Sequence, residues 1–167
     1  MSARTARAGR RAHRRRGFSL IELLISVAIL GLLASGAMTF ADLAVQRSNE
    51  QQLRAGLREI RAAIDAYKKA SDSKHIARAD DESGYPRSLA ELTDGVTDIT
   101  SIKGTKIYFL RRLPRDPMAD PSLAADATWG LRSYASSPDD PQPGRDVFDV
   151  HSLSPRRGLN GQPYASW

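Results

Sequence analysis

The sequence predicts an α+β fold in which one long N-terminal helix packs on a small antiparallel sheet. Three observations carry this expectation. All nine prolines fall at or after Pro86, so no residue before that point lacks the backbone donor a helix needs. Apolar residues recur at helical spacing through the middle of the chain, at Leu53, Leu57, Ile60, Ile64 and Tyr67, in steps of 4, 3, 4 and 3. Near the C-terminus, WGLRSYA at 129–135 and DVFDVHSL at 146–153 alternate at period two on either side of a Pro- and Asp-rich stretch suited to a turn.

Residues 1–17 hold Arg4, Arg7, Arg10, Arg11, Arg14, Arg15 and Arg16 and no acid. The whole chain of 167 residues carries a formal charge of +6, but beyond that tail 18 basic residues face 19 acidic ones. The basicity therefore belongs to the tail, and a nucleic-acid partner is not expected from the rest. Residues 18–41, FSLIELLISVAILGLLASGAMTFA, carry Glu22 as their only charge. As a helix they rise about 36 Å, enough for a hydrocarbon core of about 30 Å. Arginines before this span and Asp42 after it place the N-terminus in the cytoplasm and the C-terminal bulk outside. The chain has no cysteine, which excludes a disulfide framework, a thiolate zinc site and a Cys nucleophile.

From residue 42 to about residue 70 the helix becomes amphipathic, with Arg54, Arg58, Glu59, Arg61 and Lys68 expected on its solvent side. One helix over 18–70 would be about 80 Å long, with Gly31, Gly36 and Gly56 as its soft points. A stripe of only about two heptads is expected to pack on the chain's own globular part rather than form a coiled coil. Residues 71–84 read as a loop, Tyr85-Pro86 as an anchored turn, and Ser88 with Glu91 as the capping box of a short helix. An apolar knot at 107–110 fits helix or strand equally. Eight of the eleven aromatic residues lie between Tyr85 and Trp167, so the small core is expected there. The plan is a basic leader at 1–17, a membrane-spanning and assembly half-helix at 18–41, an amphipathic half-helix at 42–70, and a small domain of short helix and antiparallel strands at 71–167.

The N-terminal pattern fits a cleaved secretory or twin-arginine signal, a plain signal anchor, or a prepilin leader. Glu22 discriminates among them. A carboxylate within a spanning helix is unfavourable by about 2.5–3.5 kcal/mol near the centre and marks a function by default, and an ordinary signal peptide has a shorter apolar region with no acid in it. RRRGFSLIELLISVAILGLLA resembles the prepilin signature of type IV pilins and type II secretion pseudopilins: basic leader, Gly at the cut, Phe first and Glu fifth in the mature chain. The resemblance implies a pilin-like fold, cleavage between Gly17 and Phe18 by prepilin peptidase, N-methylation of Phe18, and Glu22 as the assembly carboxylate. Cleavage leaves an amine at Phe18 and a carboxylate at Glu22 in one apolar helix. In a filament the amine of one subunit can pair with the carboxylate of a neighbour, so only the correct register satisfies both charges.

The order of later motifs extends the resemblance to the G-type, or major, pseudopilins of type II secretion. The family's YP start, its Y-L-x-x-L-P-x-D-P connector and its D-V-x-S-L strand have counterparts in Tyr85-Pro86, residues 108–117 and residues 146–153. Two departures stand out. Thr39 occupies a position where many members have Pro, so a kink is not encoded there. The family's acidic, Gly-rich calcium loop reads SPRRGLNGQPYASW here, and Arg156 and Arg157 put positive charge where a hard cation needs oxygen ligands. Calcium is therefore not carried over, no cofactor or metal ligand is assigned, and Asp139, Asp140, Asp146 and Asp149 read as solvated loop carboxylates. Tyr164 and Trp167 are expected to pin the tail to the domain.

No GxSxG, P-loop or dinucleotide motif occurs, and His13, His75 and His151 have no metal spacing. A triad from Asp149, His151 and Ser136 or Ser137 has little to support it, so no catalytic residue is assigned and no enzyme is expected. The function expected is that of a structural pseudopilus subunit that helps export folded proteins across the outer membrane. Its implied partners are copies of itself, other pseudopilins, prepilin peptidase, the inner-membrane secretion platform and membrane lipid. Its implied location is a single pass in the inner membrane, then the periplasmic pseudopilus. The alternatives are a type IV pilus or competence pilin and, in another class, a membrane-anchored or twin-arginine-exported periplasmic binding module.

Overall fold

The computed structural model describes residues 18–167, the side chains of 35–39 excepted. The basic leader with Gly17 and His13 lies outside the described residues, as does the side chain of Thr39. Helix α1 covers Leu20–Asp72, 53 residues. Ser19 starts it: its hydroxyl accepts the Glu22 N–H at 3.2 Å and its carbonyl accepts the Leu23 N–H at 3.1 Å, the work of an N-cap. The end is a left-handed wrap around Lys74 at φ 60°, where His75 N–H reaches Ala70 O and Lys74 N–H reaches Ser71 O, both at 2.9 Å.

The chain divides into two compact units, residues 1–42 and 43–167, and α1 supplies part of each. In the first, the described residues are helical and their large apolar side chains, from Phe18 through Leu33 and again at Phe40, are exposed in the single chain.

The second unit buries the predicted stripe. Leu53, Leu57, Ile60, Ile64 and Tyr67 form one core with Leu89, Leu92, Leu110, Trp129, Val147, Val150 and Tyr164, each large aliphatic side chain contributing about 1.5–3 kcal/mol by leaving water. Arg61 departs from expectation: it is half-buried rather than solvent-facing. Helix α2, Ala90–Asp94, starts at Leu89 with no side-chain cap. The expected capping box is not made, because the helix begins one residue later, with Leu89 rather than Ser88 at its N-cap. The Glu91 carboxylate instead accepts the Arg87 N–H at 2.9 Å, and Ser88 offers its carbonyl to Glu91 N–H at 3.3 Å.

Strands β1, Val96–Thr97, and β2, Lys106–Ile107, pair antiparallel with Val96 opposite Ile107. Strands β3, Trp129–Arg132, and β4, Asp149–Ser152, pair antiparallel with Trp129 opposite Ser152 and Arg132 opposite Asp149. The apolar knot thus becomes β2 plus an extended turn in which Phe109 and Leu110 both donate to Leu92 O, at 3.0 and 2.9 Å. Instead of one small sheet there are two separate two-stranded ribbons. Pro114, Pro117 and Pro121 lie in the connector between them and have no donor with which to extend a ladder. The β3–β4 pair is also shorter than its sequence pattern, since Ser133 N–H turns to Gln142 O at 2.9 Å and Val147 N–H to Pro86 O at 2.7 Å.

Candidate functional site: the start of the long helix and the C-terminal clamp

Two sets of residues bear on function, one in each unit, and they are described separately. In the first unit, Phe18 precedes α1 in non-helical backbone and is 80% exposed. Glu22 lies in the first helical turn, also exposed, between exposed Ile21 and Leu23. A carboxylate there is favoured by the partial positive charge of a helix N-terminus. Its carbonyl accepts the Ser26 hydroxyl at 2.7 Å. Ser19 is the residue the motif argument overlooked, although Ser-x-x-Glu at 19–22 is itself a helix-start signature. Among the described residues, no helix is long and apolar enough to cross a membrane. The 18–41 span read from the sequence includes residues 35–39, whose side chains lie outside that description.

In the second unit the scattered C-terminal motifs are tied to one another and to α1. Pro86 O takes the Val147 N–H at 2.7 Å, linking the Tyr-Pro turn to the approach of β4. Asp116, from the Pro-x-Asp-Pro connector, is 2% exposed; it accepts the Ser152 hydroxyl of β4 and the Met118 N–H at 2.7 Å. Pro114 O accepts the Trp129 indole N–H at 2.8 Å. Arg61 of α1 then clamps the far end of the fold: it donates to Asp149 Oδ1 at 2.7 Å, Val150 O at 3.0 Å and Trp167 O at 2.7 Å.

Two of the four acidic residues expected to be solvated are structural. Asp149 is held by Arg61 and, at 3.3 Å, by Arg132. Asp146 accepts from the Ser83 and Ser133 hydroxyls and from Tyr134 N–H at 2.9 Å. Burial alone would push the Asp146 carboxyl up, but those hydrogen bonds and nearby Arg145 outweigh it and hold it below the ordinary range. The same bonds dismantle the imagined triad. Asp149 is committed to arginines, Ser136 donates to Ser133 O at 3.1 Å, and Ser137 accepts Asp139 N–H at 3.2 Å. A cleft of about 1090 Å³ between the 76–99 and 133–146 segments has charged walls, but Asp81 is paired with Arg145 and Glu82 with Arg87.

Tyr164 and Trp167 pin the tail as expected. Tyr164 is fully buried with its hydroxyl 3.0 Å from Glu50 Oε1, and Arg54 stacks 4.2 Å from the centroid of the Trp167 ring. The donor set of the C-terminal loop does not fit calcium, which takes six to eight oxygens. Residues 150–167 contain no carboxylate side chain. Among the described residues, no group of three or more His, Asp or Glu could hold a metal ion.

The prokaryotic N-terminal methylation motif matches residues 12–38, a stretch that contains Gly17, Phe18 and Glu22. Type II secretion system core protein G of Pectobacterium carotovorum subsp. carotovorum is 27% identical over 151 residues, 88% of this chain and 80% of that protein. The core protein G of Klebsiella michiganensis is 27% identical over 141 residues, 81% of this chain and 92% of that protein. That of Klebsiella pneumoniae is 28% identical over 146 residues, 85% of this chain and 86% of that protein. No solved structure matches significantly. A methylation motif at the N-terminus therefore heads a chain that is similar, over more than four fifths of its length, to core protein G of type II secretion, and the resemblance to G-type pseudopilins holds beyond the leader.

Proposed function

We propose that this chain is a structural subunit of a type II secretion pseudopilus, polymerising through the first part of α1 and helping to move folded proteins across the outer membrane. The observation that carries the proposal is the joint occurrence of a methylation motif at 12–38 and similarity to core protein G over most of the chain. Prepilin peptidase cuts between Gly17 and Phe18, Phe18 becomes the methylated terminus, and the Phe18 amine of one subunit pairs with Glu22 of another. The geometry of the first unit supports this role: Glu22 is the only charge between residues 18 and 41, and it stands among apolar side chains that the single chain leaves exposed. Burial of that surface, first in the inner membrane and then against other subunits in the periplasm, requires a cation beside Glu22. The partners are further copies, other pseudopilins, the peptidase, the secretion platform and lipid. The role is structural rather than enzymatic, and the polar groups of the second unit serve its fold.

Mass spectrometry of the protein purified from membranes tests this directly. The expected mature chain begins at a methylated Phe18. A chain beginning at Ser2, or one cut near Asp42, would overturn the proposal, the latter in favour of an exported binding module.

A further inference from the structure

We infer that the C-terminal loop of this protein closes without a divalent cation, because Glu50 of α1 and Arg157 of the loop do the work that calcium would do. The loop at 153–167 presents donors rather than acceptors. Leu159 N–H points to Glu50 Oε1 at 2.7 Å, and the Tyr164 hydroxyl lies 3.0 Å from the same oxygen. Gln46 Nε2 lies 3.3 Å from that oxygen and 3.1 Å from the Tyr164 hydroxyl. Glu50 is only 6% exposed. Its negative charge is thus satisfied by loop N–H and O–H groups, with Arg54 at 4.0 Å from its second oxygen.

Five of the loop's own oxygens accept hydrogen bonds from within it. Arg157 Nη1 donates to Gly161 O at 2.9 Å. Gly158 N–H takes Gln162 O at 2.8 Å, Gly161 N–H takes Gly158 O at 2.9 Å, and Tyr164 N–H takes Arg156 O at 3.1 Å. Asn160 Oδ1 accepts Gln162 N–H at 3.1 Å. A calcium loop gathers oxygens around a cation. Here the polarity is inverted, with the Arg157 guanidinium bound to a loop carbonyl and a helix carboxylate receiving one N–H and one O–H of the loop. The inference extends beyond the filament role and does not depend on it.

The test uses the full chain in detergent micelles, with thermal unfolding followed by tryptophan fluorescence in excess chelator and in millimolar calcium chloride. The two midpoints are expected to coincide. Calcium held at about a hundredfold its dissociation constant would instead raise the midpoint by roughly 5–10 °C, and such a rise overturns the inference. Retention of about one calcium per chain on equilibrium dialysis overturns it equally. A second arm follows tryptic release of residues 158–167 after cleavage at Arg157. Glu50→Gln is expected to speed release about tenfold or more, through loss of a hydrogen-bonded charge, and the milder Tyr164→Phe to speed it less. Calcium should slow release in neither variant nor in the wild type. Release from Glu50→Gln at the wild-type rate, or its rescue by calcium, sinks the inference.

Discussion

The two parts of α1 make opposite use of the same backbone. From Leu20 to Leu33 the apolar residues lie on every side of the helix, and in the single chain Leu20, Ile21, Leu24, Ile29 and Leu32 all remain exposed. From Leu53 to Tyr67 apolar residues occupy one stripe, and the chain buries that stripe on its own core. The difference teaches where each part must look for its partner. A helix with one apolar face can be satisfied by the fold it belongs to, whereas one that is apolar all round needs lipid or other chains. Glu22 sharpens the contrast, because it is the single charge among the apolar residues of 18–41, while the charged side chains Arg61 and Glu50 of the second part find partners within their own unit.

The largest expected effect breaks the first half of that comparison. Glu22→Ala should leave membrane insertion and cleavage intact but lower the yield of sheared pseudopili on the order of a hundredfold, since a buried amine left without its partner is unfavourable by about 3–5 kcal/mol. Filament yields equal to wild type would remove Glu22 from its proposed role. Next comes a paired substitution across the two parts of α1. Ile60→Ala should destabilise the second unit by about 2–5 kcal/mol in a urea titration followed by tryptophan fluorescence, while Leu24→Ala should leave that transition where it was.

Asp116→Asn comes third. It weakens the tie between the connector and β4, where Asp116 accepts both Ser152 Oγ and Met118 N–H, and should cost about 1–3 kcal/mol by the same titration.

Acid comes fourth. Burial pushes the His151 imidazole down, against the pull of Asp149 and with help from Arg132 and Arg61; Asp146 is also held low. For both groups the folded state binds protons less readily than the unfolded one. Stability is therefore full above the unfolded values and falls as pH drops through the folded ones: first below about 6.5 for His151, then below about 4 for Asp146. Urea midpoints measured from neutral to acid pH should show both steps, and His151→Gln should flatten the first. The smallest effect is a gain. A Cβ on Gly56 would meet Pro114 and Trp129 at 3.5 Å, ordinary contact distance, so Gly56→Ala should stabilise by about 0.5–1 kcal/mol through helix propensity.

Much of the fold was legible because its signals are local. The proline-free run marked α1, the 4-3-4-3 spacing marked its buried face, and the period-two segments marked β3 and β4. The misreadings occurred where a distant group decided the outcome. Ser88 looked like a cap, but the helix begins after Leu89 and the Glu91 carboxylate turns back to Arg87 instead. Arg61 looked like a solvent-side residue of an amphipathic helix, yet it reaches residues 88, 89 and 106 positions away. Asp146 and Asp149 looked like loop carboxylates because nothing near them in sequence announces Ser83, Ser133 or Arg61 as partners. Ser19 is the reverse case: its Ser-x-x-Glu signal was local and present, but the apolar run around it drew attention to Glu22 alone.

By itself, then, the sequence determined the order of elements, the apolar and basic character of the N-terminal region, and the motif at 12–38 that makes it a prepilin-like start. These depend on composition and on spacings of a few residues, which survive without knowledge of the fold. Only the tertiary structure decided which polar groups are spoken for: Asp116 by Ser152, Asp149 by Arg61, Glu50 by Leu159 and Tyr164. A buried charge or hydroxyl is settled by whichever complementary group the packed chain brings within about 3 Å, and that proximity joins residues as much as 118 positions apart.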